Sequence, residues 1–189
     1  MSEDRSPSAC RCGYLDTGDN TFFAHTMTCP HLAGATWTYR HNRVLHALDT
    51  SIRRFGILTS VEPTFYVYAD GSRKRPDLTV FATESIVTDL TISVDMDGAL
   101  KAKQEKHSAA AVARGHMFIP IAMGIFGEIH QSVYLFLCRV FRRLPKALRR
   151  LAILQTQRAM SEAWLEGSIA MLHGVTRPLA EGDYNLDGH

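Results

Sequence analysis

Two aspartates on consecutive β-rich segments could together hold a divalent cation. Asp77 opens the first segment (Arg75–Val80) just after a proline, and Asp89 lies within the second (Val87–Ile92). If the segments pair as a hairpin through the turn at 82–85, both carboxylates converge at one end of a sheet. Hard cations such as Mg²⁺ are commonly held by one or two carboxylates plus substrate phosphates. The alternative is that both are ordinary turn or solvent residues.

The side-chain pattern around Asp89 predicts its orientation. Ile86, Leu90 and Val94 alternate with more polar positions, so one face of this strand is mostly apolar. Asp89 falls on the polar face, and we therefore expect it to be presented to solvent rather than buried.

A predicted helix follows the two aspartates. It runs from Gly98 to Arg114, before Gly115, and carries Lys103 and Lys106 on one face with His107 adjoining. A lysine beside the acids would orient water or neutralise charge on a phosphate. The alternative is a solubilising helix surface, which is the commoner fate of lysine.

Three of the four cysteines lie near the N-terminus, where clustering favours metal binding over disulfides. Cys10, Cys12, His25 and Cys29 form a CCHC set that could bind Zn²⁺ tetrahedrally. The single residue within the first pair is short for a zinc knuckle, and His31 is a substitute ligand. Ordinary thiols or a degenerate finger are the alternatives. Cys138 is expected to be a core residue.

Basic residues concentrate in two regions, although the net charge is only +2. A predicted helix over 36–55 carries Arg40 and Arg43, which could contact phosphates or form a solvated face. The densest positive patch flanks Pro145, which we expect to separate two helices. The residues predicted to bind DNA are Arg40, Arg43, Arg75, Arg139, Arg142, Arg143, Lys146, Arg149 and Arg150.

The predicted elements form one compact α/β domain with small additions. Their order is helix, three strands, helix, strand, helix, helix, with the first strand at Val61–Tyr68. The expected divisions are a disordered segment (1–9), a CCHC finger (10–35), a main domain (36–145), a C-terminal helix (146–175) and a disordered tail (176–189). The apolar stretch at 117–138 is too interrupted to span a membrane, and we expect no secretory segment.

This αβββαβ order, with acids on the second and third strands, resembles the restriction-endonuclease-like PD-(D/E)XK superfamily: a mixed sheet flanked by helices. With the CCHC set and the motifs Arg40-His41-Asn42, Glu62-Pro63 and Arg75-Pro76-Asp77, the chain looks like the endonuclease module of site-specific non-LTR retrotransposons. We expect no reverse transcriptase segment before the finger, and therefore a solitary copy, a domesticated gene, a remnant or an excised part of such an element.

The resemblance implies a metal-dependent DNA endonuclease that nicks target DNA. Asp77 and Asp89, with Glu62, would hold Mg²⁺ or Mn²⁺, and Zn²⁺ would be structural. Thr91 occupies the usual lysine position of the superfamily, so the working amine would be Lys103 or Lys106 on the following helix. Double-stranded DNA would be the partner, with RNA or a reverse transcriptase as further ones, in the nucleus. The alternatives are a catalytically silent nucleic-acid-binding module and a protein-interaction scaffold.

Overall fold

A computed structural model describes residues 25, 27–29, 35–64, 66, 68, 71 and 75–172. Over these residues the chain is an α/β protein, as predicted. The helices are α1 (Ala35–Arg53), α2 (Met96–Val112), α3 (Gln131–Val140) and α4 (Lys146–Leu172). The strands are β1 (Leu58–Val61), β2 (Leu78–Phe81), β3 (Ser85–Thr88), β4 (Leu90–Ser93), β5 (Met117–Phe118) and β6 (Ile121–Gly124). None of the helices in the described part is both long enough and apolar enough to cross a membrane.

A mixed sheet lies at the centre, with strand order β1-β2-β3-β5. β2 pairs antiparallel with β1 and with β3, and the predicted hairpin between β2 and β3 is confirmed. β5 then joins β3 in parallel, and β6 pairs in parallel with β4. Helix α2 is the crossover between the two partners of each parallel pair, as parallel strands require.

The two parallel pairs form one ladder in a constant register. Ile86 lies opposite Met117, and Leu90 lies opposite Ile121. Both members of the second pair are four residues after those of the first, so the register does not change. Hydrogen bonds cross the short break, because the amides of Ile119 and Ile121 donate to the carbonyls of Val87 and Asp89. Pro120 lies between these two donors, at a position where an N–H would point away from the ladder. A proline is tolerated there because no hydrogen bond of the ladder is lost.

Helix α1 packs closely on α4 and also contacts the sheet. Apolar residues of these helices, of α3 and of the strands form one core that includes Leu48, Ile86 and Phe136. Gly167 of α4 lies so near α1 that a Cβ atom there would be 2.9 Å from the Cα atom of Arg40. This contact fixes α1, which carries one of the residues of the site described below.

The first strand was predicted to begin three residues too late and to extend to Tyr68. It covers Leu58–Val61, and Glu62 and Pro63 after it lie outside any strand. Pro63 has no N–H for a ladder, and Glu62 has a positive φ of 44°, which takes the backbone out of the extended region. The predicted helix break at Pro145 is confirmed, since α3 ends at Val140 and α4 begins at Lys146.

Candidate active site

Asp77 and Asp89 face each other across the β2–β3 hairpin. Leu78 lies opposite Thr88 in the antiparallel register, so the adjoining pair of positions is Asp77 and Asp89. Residues directly opposite in such a pair project from the same face of the sheet. The two carboxyl groups therefore lie close to each other, and each shifts the pKa of the other. The predicted convergence of the two acids is present in the structure.

Asp89 is buried, contrary to the sequence prediction. Its side chain is 2% exposed, and the neighbouring Thr88 on the other face of the strand is buried as well. Alternation predicts exposure only where one face of a strand meets water. Here α2 covers the face that carries Asp89 and supplies polar partners for the buried charge.

Two side chains of α2, four residues apart and therefore on one helix face, reach Asp89. The Nζ atom of Lys103 donates to the Oδ1 atom of Asp89 at 2.7 Å. The Nε2 atom of His107 lies 2.6 Å from the Oδ2 atom, at an angle poor for a regular hydrogen bond. Lys106 lies on the exposed side of the helix and makes no ion pair with any described residue. The geometry therefore favours Lys103 over Lys106 as the amine of the site.

His107 connects Asp89 to a buried tyrosine. The hydroxyl of Tyr68 hydrogen-bonds to the Nδ1 atom of His107, and the two rings meet edge to face. Because Nε2 faces a carboxylate, the proton of a neutral ring belongs on Nε2, which leaves Nδ1 to accept from Tyr68. This arrangement fixes the orientation of the imidazole that contacts Asp89.

Asp77 has its own set of partners. Its Oδ2 atom accepts a hydrogen bond from the amide of Leu90 at 2.6 Å and lies 3.1 Å from the Nε2 atom of His41 on α1. His41 also lies 3.3 Å from the carbonyl of Leu90. The site is thus assembled from the sheet, from α2 and from α1.

The two carboxyl groups differ in their affinity for protons. Burial raises the pKa of Asp77, and the nearby Asp89 raises it further, against the opposing effect of His41. Burial also acts to raise the pKa of Asp89, but contacts with His107, Asp77 and Lys103 outweigh it and hold that pKa well below its usual range. Two close carboxyl groups whose pKa values are pushed apart are typical of functional acid pairs.

The imidazole of His41 responds to the same cluster. Burial acts to lower its pKa, but the Asp77 carboxylate and the carbonyl of Leu90 raise it overall. His41 is therefore more readily protonated than an ordinary histidine, and it stabilises Asp77 in its ionised form.

Glu62 continues the row of facing positions that contains Asp77 and Asp89, because it directly follows Val61, which lies opposite Leu78. Its amide donates to the carbonyl of Asp77 at 2.8 Å, while its side chain is exposed in a groove that Arg53 and Arg75 also line. Among the described residues, no group of three or more His, Cys, Asp or Glu side chains has a geometry that could hold a metal ion. Glu62 thus joins the site through its backbone.

An open cleft of about 300 Å³ lies beside His41 and Lys103, the side chains that contact the two acids. Trp37, His41, Leu90 and Lys103 are among the residues that line it. The indole of Trp37 is exposed at the rim of this cleft, beside two side chains of the site. A substrate would reach Lys103 and His41 by this route.

The basic residues predicted to bind DNA differ in their placement. Arg40 is only 3% exposed and its Nη1 atom lies 3.2 Å from the sulfur of Met27, so it packs inside the protein instead of facing a duplex. Arg149 is half-buried and donates to the carbonyls of Arg142 and Leu144, closing the turn after α3.

The remaining basic residues lie at or near the surface. Arg43 pairs with Glu166, and Arg139 lies 3.5 Å from Glu84. Those that are exposed without such an ion pair in the described part are Arg75, Arg142, Arg143, Lys146 and Arg150.

The predicted zinc ligands fall largely outside the described residues. Cys10, Cys12 and the substitute His31 are not among them, whereas His25 is half-buried and Cys29 is buried. The finger stays a prediction.

Sequence reasoning missed His41 and Tyr68 as contributors to the site. His41 lies 36 positions before its partner Asp77, and only the packing of α1 on the sheet brings them together. Tyr68 was assigned to a strand and not to the site. No model of a known protein family matches the sequence, and a search of curated proteins finds no relative.

Proposed function

We propose that this protein is a metal-dependent DNA endonuclease of the PD-(D/E)XK type. The observation that carries the proposal is the placement of Asp77 opposite Asp89 on neighbouring strands, with the amine of Lys103 donating to Asp89. Two acids at one end of a sheet, with a lysine beside them, are the functional groups of phosphodiester hydrolysis in that superfamily.

The topology supports the same proposal. A helix precedes three antiparallel strands, and a crossover helix then leads to a strand parallel to the third. This order resembles the αβββαβ order of the restriction-endonuclease-like core. The acids lie at the start of β2 and at the end of β3, where that fold carries its metal ligands.

The donor set suits a hard divalent cation. Carboxylate oxygens are the ligands that Mg²⁺ and Mn²⁺ take in proteins. Asp77 and Asp89 face each other across the hairpin, so two carboxyl groups are available to one cation. A bound Mg²⁺ or Mn²⁺ would supply an activated water and neutralise charge on the phosphate.

The surrounding side chains then have distinct roles. His41 and the amide of Leu90 orient Asp77, and His107, held by Tyr68, orients Asp89. Lys103 borders the cleft and would place its charge beside the scissile phosphate, where an amine stabilises the charge that develops. Because Lys103 is only 28% exposed, its charge is less screened than that of a surface lysine.

The DNA backbone would contact the exposed basic residues. Arg142, Arg143, Lys146 and Arg150 surround the turn between α3 and α4, and Arg75 directly precedes the first acid. Phosphate contacts of this kind position a duplex without reading its sequence. They also make binding strongly dependent on salt. Nicking of a nuclear target for reverse transcription, with a polymerase as partner, belongs to the same proposal.

The test is a nicking assay on supercoiled plasmid with Mg²⁺ or Mn²⁺. We expect relaxed and linear products with the parent and with Glu105→Gln, a control on the exposed side of α2. We expect none with Asp77→Ala or after chelation. A parent that leaves plasmid intact with every metal, yet shifts it in a gel at low salt, would instead be the catalytically silent binding module.

A further inference from the structure

Helix α4 is apolar on two sides. Its inner side packs into the core through residues that include Ile153, Met160 and Trp164. Its outer side exposes five large apolar side chains. Leu148 (40% exposed) lies near the start of the helix, and the other four, spread over 19 residues, are Leu151 (47%), Leu154 (55%), Leu165 (53%) and Ile169 (45%). Single exposed apolar residues are common, but a stripe at helical spacing is typical of a contact surface.

An ion pair divides this outer stripe in the middle. The Nε atom of Arg158 lies 2.7 Å from the Oε1 atom of Glu162, and their side chains are 81% and 59% exposed. Both lie on the stripe, because the sequence from Leu151 through Arg158 and Glu162 to Ile169 keeps steps of three and four residues.

The stripe is nearly symmetric about residue 160. Arg158 and Glu162 lie two positions before and after this residue, and Leu151 and Ile169 lie nine before and after it. Leu154 and Leu165 lie six before and five after, so they match within one residue. The central charges are opposite in sign.

We propose that α4 pairs antiparallel with α4 of a second copy of this chain, about a two-fold axis that passes between Arg158 and Glu162. In a two-fold interface the same patch meets itself, so that each residue lies opposite its mirror position. Arg158 of each copy then faces Glu162 of the other. Leu151 packs against Ile169 at both ends, and no like charges meet.

A second copy fits this stripe better than a foreign protein would. A different partner would require no mirrored order of residues and no charge reversal at the centre. A helix of 27 residues is about 40 Å long. A pair of such helices forms an interface near the lower end of the roughly 1,200–2,000 Å² of stable complexes. We therefore expect a dimer with a Kd in the micromolar range, independent of metal and of DNA.

Charge reversal tests the pairing on the full chain by sedimentation equilibrium. Arg158→Glu places two glutamates opposite two glutamates, and Glu162→Arg places arginines opposite arginines. Each variant alone should raise the dimer Kd about tenfold or more. Glu105→Arg, the same charge change on the exposed side of α2, should leave the dimer unchanged.

An equimolar mixture of the two variants is decisive. One chain then carries two negative and the other two positive charges at the centre, so the mixture should associate at least as tightly as the parent. Both chains lack the pair within the helix, so restoration can arise only between chains. A monomeric parent at high micromolar concentration, single variants that dimerise like the parent, or a mixture that stays monomeric would each overturn the proposal.

Discussion

Replacing Lys103 with methionine removes the only amine that contacts the acid pair in the described residues while keeping a side chain of similar length. At 2.7 Å and an effective dielectric constant of about 20, the attraction between Lys103 and Asp89 is on the order of 6 kcal/mol before desolvation. Removing both charges from water offsets most of that attraction. What the substitution leaves behind is a carboxylate that is 2% exposed and has lost one donor.

The consequences for stability and for cleavage differ in size. Loss of one partner of a buried polar group costs about 1–3 kcal/mol of unfolding free energy, and the remaining contact with His107 keeps the loss within that range. Loss of a group that stabilises transition-state charge lowers a rate by about 10²–10³-fold. We therefore expect a folded Lys103→Met variant that nicks plasmid 10²–10³-fold more slowly.

Lys106→Met is the matched control, because this lysine lies on the same helix and is exposed. Its free energy of unfolding should stay within about 0.5 kcal/mol of the parent, as for most surface substitutions. Its nicking rate should stay within about threefold. Rates are measured with excess protein, and folding is checked by urea titration of each variant. A hundredfold loss in Lys106→Met, with parental cleavage by Lys103→Met, would refute the assignment.

Two further predictions concern stability. The pKa of Asp77 is raised from 3.8, so above pH 3.8 the native state binds more protons than the unfolded state and unfolding free energy falls as pH rises. Asp77→Asn removes this fall in unfolding free energy, because asparagine does not titrate. The thermal midpoint of the variant should match that of the parent near pH 3.5 and exceed it at pH 8. Equal midpoints at pH 8 would contradict the direction of the Asp77 pKa shift. Gly167→Ala should lower the free energy of unfolding by about 1–3 kcal/mol in urea, although alanine favours helices, because its Cβ atom would lie 2.9 Å from the backbone of Arg40. An unchanged or higher urea midpoint would show that α1 and α4 separate easily.

Local signals predicted the frame that carries the acids. The four-residue turn at 82–85 and the β-rich segments on either side of it predict the β2–β3 hairpin, which sets Asp77 opposite Asp89. Gly115, at a positive φ of 71°, ends the helical region of α2 where the sequence indicates. These features depend on residues that are close in the sequence, and for that reason sequence patterns can predict them.

Features that depend on distant packing were beyond such patterns. Asp89 is buried because α2 covers its face of the strand, which alternation within the strand cannot indicate. Lys103 and Lys106 are three residues apart, so the sequence predicts that they share a face of the helix. The orientation of α2 on the sheet decides that Lys103 is the one that points toward Asp89. His41 reaches Asp77 because α1 is held against α4 and the sheet.

Binding of Mn²⁺ in the presence of duplex DNA tests the central claim most directly. The free ion is followed by electron paramagnetic resonance as parent or Asp77→Asn protein is added. If Asp77 and Asp89 together hold the catalytic cation, the parent depletes free Mn²⁺ and Asp77→Asn binds it at least tenfold more weakly, since one of two carboxylate ligands is gone. Equal depletion by both proteins, or none by the parent at millimolar Mn²⁺, would contradict a metal site at this acid pair.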